Sequence, residues 1–231
     1  MHKYGGWAMQ TEESRQQVLA KIKMAVDSGH HIVVIVSAMG RKGDPYATDT
    51  LLSLAPWEAS SAELELVKCS GEFISASLLT ALIKTNGISC NLLYGTNAGL
   101  VGDSLLHPSQ MKHCEESVQT YSVTVVPGFH YVTKEAYFTT FERGGSDFTA
   151  LLFAHYFQCE AIFFKDVEGA YFPPESSCVA KSLTHQQLCE LEVIQQRAAQ
   201  FAAKHKIPLT IQSYLTEGSG TLIRDLPQQA Q

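Results

Sequence analysis

Apolar positions along this chain alternate between helical and strand spacing. In residues 11–28, apolar side chains such as Val18 and Ile22 recur at helical spacing. Thr11 and Ser14 stand before them as candidate N-caps. This segment therefore predicts an amphipathic helix that begins at a hydroxyl cap.

Residues 31–37 show the other pattern. Their centre, Ile32 to Val36, is a continuous β-branched run, which is typical of a strand covered on both faces. The same alternation predicts further helices at 71–86, 146–157 and 184–205, and further strands at 89–94, 122–126, 161–165 and 209–213. With 231 residues and no obvious linker, the pattern favours one α/β domain with a mostly parallel sheet between helices.

Composition narrows the class of protein. Apolar residues make up 45% of the chain and charged residues 17%, as in globular proteins. The net charge is -6 and no cluster of Lys and Arg is interleaved with aromatic residues, which argues against a nucleic-acid partner. No apolar run reaches the roughly 18 residues of a membrane span, and the N-terminus lacks the apolar core of a signal peptide. We therefore expect no membrane association and a cytoplasmic location.

The six cysteines carry no spacing signal. They are scattered without a CxxC pair, so neither a zinc site nor a disulfide framework is expected. No other metal site is predicted from the residues.

Four segments combine glycine, hydroxyl or charged residues in ways that suit a ligand site: 3–6 (KYGG), 36–40 (VSAMG), 71–75 (GEFIS) and 139–149 (TTFERGGSDFT). The second follows a buried strand, where open α/β sheets bind ligands, although a structural turn would fit about as well. The third places Glu72 at the expected opening of a helix, where a helix-start role is the simpler interpretation and a ligand contact the alternative.

The segment at 139–149 carries the strongest signal. Arg143 and Asp147 flank a glycine pair that leads into an apolar helix, whose first N–H groups form an anion site. Arg143 can hold a carboxylate through two hydrogen bonds, and Asp147 can orient a lysine or a metal-bound phosphate. Capping by Ser146 or Asp147 would explain the helix start but not the added Arg143. Ligand binding is the better interpretation.

These segments together resemble the amino-acid kinase family, most closely the catalytic domain of Gram-positive aspartate kinases. The resemblance rests on KYGG, VSAMGRKGDPYATDTLLSL, GEFISASLLTALIKTNGI, VPGF, TTFERGGSDFTA and KDVEGAY, in the family's order and spacing. It covers nearly the whole chain. It implies a three-layer αβα sandwich with a central, mostly parallel sheet, an amino-acid lobe at about 1–145 and a nucleotide lobe at about 146–231.

The resemblance also implies roles for particular residues. Lys3 would neutralise the transferring phosphoryl group, and Asp147 would organise the site around it. The implied substrate residues are Ser37, Thr48, Glu72, Arg143 and Ser146, and the implied nucleotide residues are Gly5, Gly6, Asp166, Gly169 and Tyr171. The implied reaction is phosphorylation of L-aspartate by ATP with Mg2+, the first step of lysine, threonine and methionine biosynthesis, in a homodimer.

Several positions depart from the family pattern. Trp7 and Ala8 replace a Thr-Ser pair, and Glu142 replaces a glycine. Residues 172–176 lack the family's Asp-Pro-Arg, and Glu192 takes the place of a lysine. Only two residues precede Lys3, so either the first strand is truncated or the true start lies upstream of Met1, and we expect Lys3 to be poorly anchored.

The departures leave two further hypotheses open. Because they fall mostly on the ATP side, a non-catalytic, aspartate-binding or regulatory homologue is the alternative of a different class. A kinase of another carboxylate or amino acid is the third hypothesis, since Glu72 and Arg143 would suit any α-amino acid. No residues remain after Ile223 for the family's regulatory ACT module, so feedback control within this chain is not expected.

Overall fold

The computed structural model describes residues 1–56, 58, 60–102 and 105–225. The strands in this part of the chain are β1 (His2–Tyr4), β2 (Ile32–Val36), β3 (Cys90–Leu92), β4 (Val123–Pro127), β5 (His130–Val132), β6 (Phe138–Thr140), β7 (Ala161–Lys165), β8 (Ser182–Leu183), β9 (Leu209–Ser213) and β10 (Thr221–Ile223). The α-helices there are α1 (Gly6–Gln10), α2 (Glu12–Asp27), α3 (Thr48–Ser53), α4 (Ser61–Thr85), α5 (Lys112–Thr120), α6 (Gly145–Tyr156), α7 (His185–Cys189) and α8 (Gln196–His205). Two 3-10 turns lie at Gly95–Ala98 and Pro108–Gln110.

One sheet organises the molecule. Its strand order is β3-β4-β2-β1-β7-β9-β10-β8, and every neighbouring pair is parallel except β9 with β10. β5 and β6 form a separate antiparallel hairpin. β2, which follows β1 in the chain, lies on one side of β1, and β7 lies on its other side. The strand order therefore reverses beside β1. Ligands bind outside the carboxyl ends of strands at such a point.

Both faces of the sheet are covered, as the β-branched run in β2 predicts. Val33 and Ile35 pack with side chains of α5, α6 and α8, whereas Val34 and Val36 pack with side chains of α2 and α4. Successive side chains of a strand point to opposite faces, so each face has its own core. The predicted three-layer αβα fold is confirmed.

Several predicted elements are confirmed closely. β7 and β9 have the predicted bounds. At the start of α2, the Thr11 hydroxyl oxygen accepts from the Ser14 backbone N–H at 3.1 Å. The Ser14 hydroxyl oxygen in turn accepts from the Thr11 N–H at 3.0 Å, which completes a reciprocal cap.

Two predicted helix bounds are wrong. The helix predicted at 71–86 begins at Ser61, so Glu72 lies within α4 and not at its opening. The expected helix-start role of Glu72 is therefore wrong. The helix predicted at 184–205 is two helices, α7 and α8, because residues 190–195 leave the helical path between them.

The first strand is short, as predicted, but it is not loosely held. β1 pairs in parallel with both β2 and β7, and all three of its residues are buried. The expectation that Lys3 is poorly anchored is therefore wrong. A three-residue strand with a lysine at its centre has no apolar run by which the sequence could reveal it.

Among the described residues, α4 alone is long and apolar enough to cross a membrane by length and composition. Its buried side chains Ala76, Leu79 and Ile83 belong to the sheet's core. Such packing is that of a core helix, which passes the same test of length and composition.

The N-cap of α2 can be tested directly by mutation of Thr11. We expect Thr11→Ala to lower the free energy of unfolding by about 1 kcal/mol, because one N-terminal N–H loses its acceptor. Lys23→Ala, on an exposed position of the same helix, is the control and should change stability by less than about 0.5 kcal/mol. Urea denaturation measures both, and equal losses would contradict a capping role.

Candidate active site

A cleft of about 660 Å³ opens at the carboxyl ends of β1, β2 and β7. Of the twelve residues that the resemblance singles out, ten line it: Lys3, Gly5, Gly6, Ser37, Thr48, Glu72, Arg143, Ser146, Asp147 and Asp166. The resemblance and the sheet topology thus lead to the same place. Gly169 and Tyr171 lie outside its lining.

Glycines let the backbone close around this cleft. A Cβ at Gly6 would lie 2.5 Å from the Gly40 carbonyl oxygen and 2.9 Å from that of Ala38. A Cβ at Gly71 would lie 2.8 Å from both the Ala38 side chain and the Tyr46 carbonyl oxygen. Only glycine allows such approaches. Gly71 therefore brings α4, and with it Glu72, against the loop that follows β2.

A buried ion pair forms the floor of the cleft. Lys3 Nζ lies 2.6 Å from Asp147 Oδ1, and both side chains are less than a tenth exposed. Asp147 sits in the first turn of α6, and its Oδ2 accepts the Gln195 backbone N–H at 3.1 Å. Lys165 Nζ lies 3.7 Å from the same Oδ2. One carboxylate therefore joins β1, β7 and the start of α8.

The charges in this cluster act on one another. Burial opposes ionisation of Asp147, but Lys165 and Lys3 outweigh it and lower the pKa of Asp147 to about 2. Burial lowers the pKa of Lys3 from its ordinary value, while the charge of Asp147 raises it in part. The carboxylate is ionised at any physiological pH.

Glu72 is the other buried acid of the cleft. It is 4% exposed, and its Oε2 has no hydrogen-bond partner among the described residues. Burial raises the pKa of Glu72 to about 8, although the backbone N–H of Ala38 and the charge of Lys3 favour ionisation. An unpaired, buried carboxyl oxygen of this kind suits a cationic ligand group.

Arg143 stands at the rim. Its Nη2 lies 2.9 Å from Asp49 Oδ2, and its side chain is 88% exposed. Exposed pairs of this kind contribute about 0 to 1 kcal/mol, so Arg143 can exchange Asp49 for a ligand carboxylate at little cost. Ser146, by contrast, is buried and packs against Gly128. A Cβ added at Gly128 would lie 2.7 Å from the Cβ of Ser146.

The cleft is positive although the chain as a whole has a net charge of -6. Its basic lining residues are Lys3, Arg41, Lys42, Lys68, Arg143 and Lys165. Its acidic ones are Asp49, Glu72, Glu142, Asp147 and Asp166. Because Glu72 is largely neutral at pH 7, the lining favours anions.

Sequence reasoning missed several lining residues, including Arg41, Lys42, Lys68 and Lys165. The sequence does contain a signal for Lys165. This residue ends a predicted strand, and α/β sheets bind ligands at the carboxyl ends of their strands. None existed for Lys68, because it lies in the part of α4 that the predicted helix omitted.

Apart from Ala8, which is buried and lines the cleft, the departures from the family pattern lie at or beyond the rim. Trp7 is 40% exposed, and the Arg41 guanidinium carbon lies 5.7 Å from its ring centre. Glu142 lines the cleft but is exposed. Residues 172–176 and Glu192 do not line the cleft.

A second cavity of about 250 Å³ lies beside the cleft and includes Glu168, Val179 and Ser213. Gly169 packs against Val179. A Cβ added at Gly169 would lie 2.5 Å from Val179 Cγ1. Tyr171 pairs with the same Val179 through an isolated bridge. Gly169 and Tyr171 therefore contact Val179, a lining residue of this second cavity, but line neither cavity themselves.

No group of three or more His, Cys, Asp or Glu side chains suited to a metal ion occurs in the part of the chain that the structure describes. Asp166, at the end of β7, is an acid that could supply one oxygen ligand.

The fold and the site define an αβα protein with a cationic cleft at the switch point of its sheet. The sequence model of the Amino acid kinase family matches residues 1–214. This chain therefore belongs to the amino-acid kinase family.

Individual relatives support this family membership. The chain is 33% identical to aspartokinase 1 of Bacillus subtilis over 96% of its own length and 60% of that protein's. It is 30% identical to the aspartate kinase Ask_LysC of Stutzerimonas stutzeri over 96% of its length and 57% of that protein's. The chain thus spans about 60% of the length of the curated relatives it matches.

Solved structures share the fold. The aspartate kinase from Synechocystis superposes with a TM-score of 0.83 at 28% identity, over all of this chain and 40% of that one. E. coli aspartokinase III in complex with aspartate and ADP superposes with a TM-score of 0.78 at 16% identity, over 99% of this chain and 65% of that one. The second likeness shows the fold alone.

The buried ion pair gives a stability test. We expect Asp147→Asn to lower the free energy of unfolding by about 3 kcal/mol, since Lys3 would remain buried without a counter-charge. Asp49→Asn removes the exposed partner of Arg143 and should cost less than about 1 kcal/mol. Urea denaturation of both variants measures the difference, and similar losses would show that the buried pair holds the fold no better than the exposed one.

Proposed function

We propose that this chain is an ATP-dependent kinase that phosphorylates the side-chain carboxylate of L-aspartate. The observation that carries the proposal is the buried Lys3–Asp147 pair on the floor of a cationic cleft, with Glu72 beside it. Phosphoryl transfer needs mainly positioning and charge neutralisation, which fixed cations provide. The 33% identity to an aspartokinase supports aspartate as the acceptor.

The amino acid would bind between the two acids and Arg143. Glu72 would meet the ammonium group, because its buried oxygen has no partner among the described residues. Arg143 would turn from Asp49 to hold the α-carboxylate through two hydrogen bonds. Ser37, Thr48 and Ser146 would complete the substrate site with hydroxyl groups.

The nucleotide would extend from the cleft toward the second cavity. Gly5 and Gly6 would let backbone approach the phosphates, and Asp166 would face the Mg2+ that the phosphates carry. The nucleoside end would lie near the second cavity, and Gly169 and Tyr171 pack behind its lining residue Val179. The lobes would then divide at about residue 145, with the amino-acid site in 1–145 and the nucleotide site in 146–231.

In this arrangement Lys3 would face the phosphoryl group during transfer. The aspartate carboxylate oxygen forms a bond to the γ-phosphorus, and the bond from that phosphorus to the β-γ bridging oxygen breaks with its electron pair, releasing ADP. Asp147 orients Lys3, and its charge offsets part of the burial that lowers the pKa of Lys3. The product is an acyl phosphate.

The alternative of a non-catalytic homologue is favoured by one observation, the replacement of two hydroxyl residues by Trp7 and Ala8 in the cleft lining. Such a protein would bind aspartate without turning over ATP. The family resemblance further supports a homodimer, a cytoplasmic location and a place in aspartate-family amino-acid biosynthesis.

A combined experiment separates the two functions. We expect calorimetry to show binding of ATP with Mg2+ and of aspartate, and hydroxylamine to trap aspartyl hydroxamate. Lys3→Met should abolish hydroxamate formation, because the floor of the cleft loses its charge. Lys23→Met, far from the cleft on α2, is the control. Aspartate binding without ATP binding or product would reject the kinase and favour the non-catalytic homologue, and glutamate assayed in parallel tests the acceptor.

The raised pKa of Glu72 leads to a pH prediction. Before a ligand binds, Glu72 is mainly protonated below about pH 8 and must ionise to meet an ammonium group. Affinity for aspartate should therefore rise with pH, by up to about tenfold per unit between pH 6 and 8, with release of a proton on binding. Calorimetry in buffers of different ionisation enthalpy measures this release.

Glu72→Gln should remove both the proton release and the pH dependence. Glu142→Gln, at an exposed position of the same cleft, is the matched control and should keep both. If proton release persists in Glu72→Gln, another group binds the ammonium.

A further inference from the structure

Lys165 is a second lysine beside the buried ion pair. It is the last residue of β7, it lines the cleft, and its side chain is 18% exposed. It is the first residue of the KDVEGAY segment, but neither the family resemblance nor the proposed function gives it a role. It lies at the carboxyl end of its strand, where the sheet meets the cleft.

The register of the sheet sets the direction of this side chain. Lys3 pairs with Phe163, and Lys165 lies two residues further along β7. Because side chains alternate along a strand, Lys165 points to the same face of the sheet as Lys3. Both lysines therefore approach Asp147 from neighbouring parallel strands.

The two lysines lie at different distances from the Asp147 carboxylate. Lys3 Nζ is within hydrogen-bond distance of Asp147 Oδ1, at 2.6 Å. Asp147 Oδ2 already accepts the Gln195 N–H, and Lys165 Nζ stands off at 3.7 Å. That distance is too long for a hydrogen bond. Within the described residues no other acid pairs with Lys165, so its ammonium protons remain available to a ligand.

The cluster as a whole carries an excess of positive charge. Two ammonium groups share one carboxylate, which leaves a net charge of about +1 on the floor of the cleft. Asp147 fixes Lys3 in a close ion pair, whereas Lys165 stands 3.7 Å away and lines the cleft, so both cations lie where an anion would bind. Preorganised charges of this kind stabilise the transition state of phosphoryl transfer, in which charge spreads over the equatorial oxygens.

We propose that Lys165 is a second phosphoryl-binding cation, which holds the terminal phosphoryl group of ATP together with Lys3 during its transfer. This inference rests on the proposed kinase function. Lys165 donates a hydrogen bond to a non-bridging phosphoryl oxygen and exchanges no proton. The bonds that form and break are those between the γ-phosphorus and the two in-line oxygens.

The test compares Lys165→Met with Lys165→Arg in the hydroxamate assay. Lys165→Met keeps the length of the side chain but loses its charge, and Asp147 keeps Lys3 as a partner. We expect its kcat to fall about a hundredfold with little change in the KM for aspartate. Lys165→Arg should have a kcat at least tenfold higher than that of Lys165→Met. Lys23→Met serves as the control, and circular dichroism verifies that each variant is folded.

Each outcome decides between the hypotheses. A kcat within about threefold of the unmodified chain in Lys165→Met, or a change in KM alone, overturns the role of Lys165 while leaving the kinase intact. If the unmodified chain forms no hydroxamate, the kinase proposal fails, and calorimetry with ATP and ADP then tests Lys165 separately. If Lys165 binds the terminal phosphoryl group, Lys165→Met should weaken ATP binding about tenfold and should weaken ADP binding by less. Equal effects on both nucleotides, or no ATP binding by the unmodified chain, overturn it.

Discussion

The carboxylate of Asp147 is the interaction on which the site depends. Burying Lys3 on the central strand would be prohibitive without a counter-charge, and Asp147 supplies it at 2.6 Å. The same group accepts the Gln195 N–H and stands near Lys165. It thereby sets the start of α6 against β1, β7 and the start of α8. Buried pairs contribute little net stability compared with apolar residues, so the position of this pair on the floor of the cleft points to a role in the site.

The geometry around that carboxylate follows from backbone constraints. Gly6 allows the loop after β2 to close over the end of β1, and Gly71 lets α4 approach the same loop. Glu72 then lies buried beside the ion pair without a hydrogen-bond partner for Oε2 among the described residues. The cleft therefore combines cations on its floor with a buried acid whose pKa burial raises to about 8. This division of charge suits an amino acid on one side and a phosphate on the other.

Local pattern predicts most of the fold and misses what tertiary contacts decide. The β-branched run of β2 and the capped, periodic α2 are visible because their signals lie within the segments themselves. Periodicity does not reveal β1, which only the family resemblance predicts, because three residues around a lysine carry no pattern and the strand is defined by pairing on both sides. The early start of α4 is missed because its first turns are largely exposed. Motif resemblance brought together ten lining residues of the cleft, but it passed over Lys165.

Exposure decides how the departures from the family pattern bear on function. Glu142 adds a negative charge to the cleft lining, but it is exposed, and water and salt screen such a charge over about 8 Å. Trp7 is 40% exposed and stacks near Arg41, away from the buried floor. The groups that act in low dielectric, where charges interact most strongly, are Lys3, Asp147 and Glu72, and all three match the family pattern. Apart from the buried Ala8, the replacements fall where electrostatic effects are weak, and Lys165 adds a cation beside the buried ion pair. This distribution supports the proposed kinase over the non-catalytic alternative.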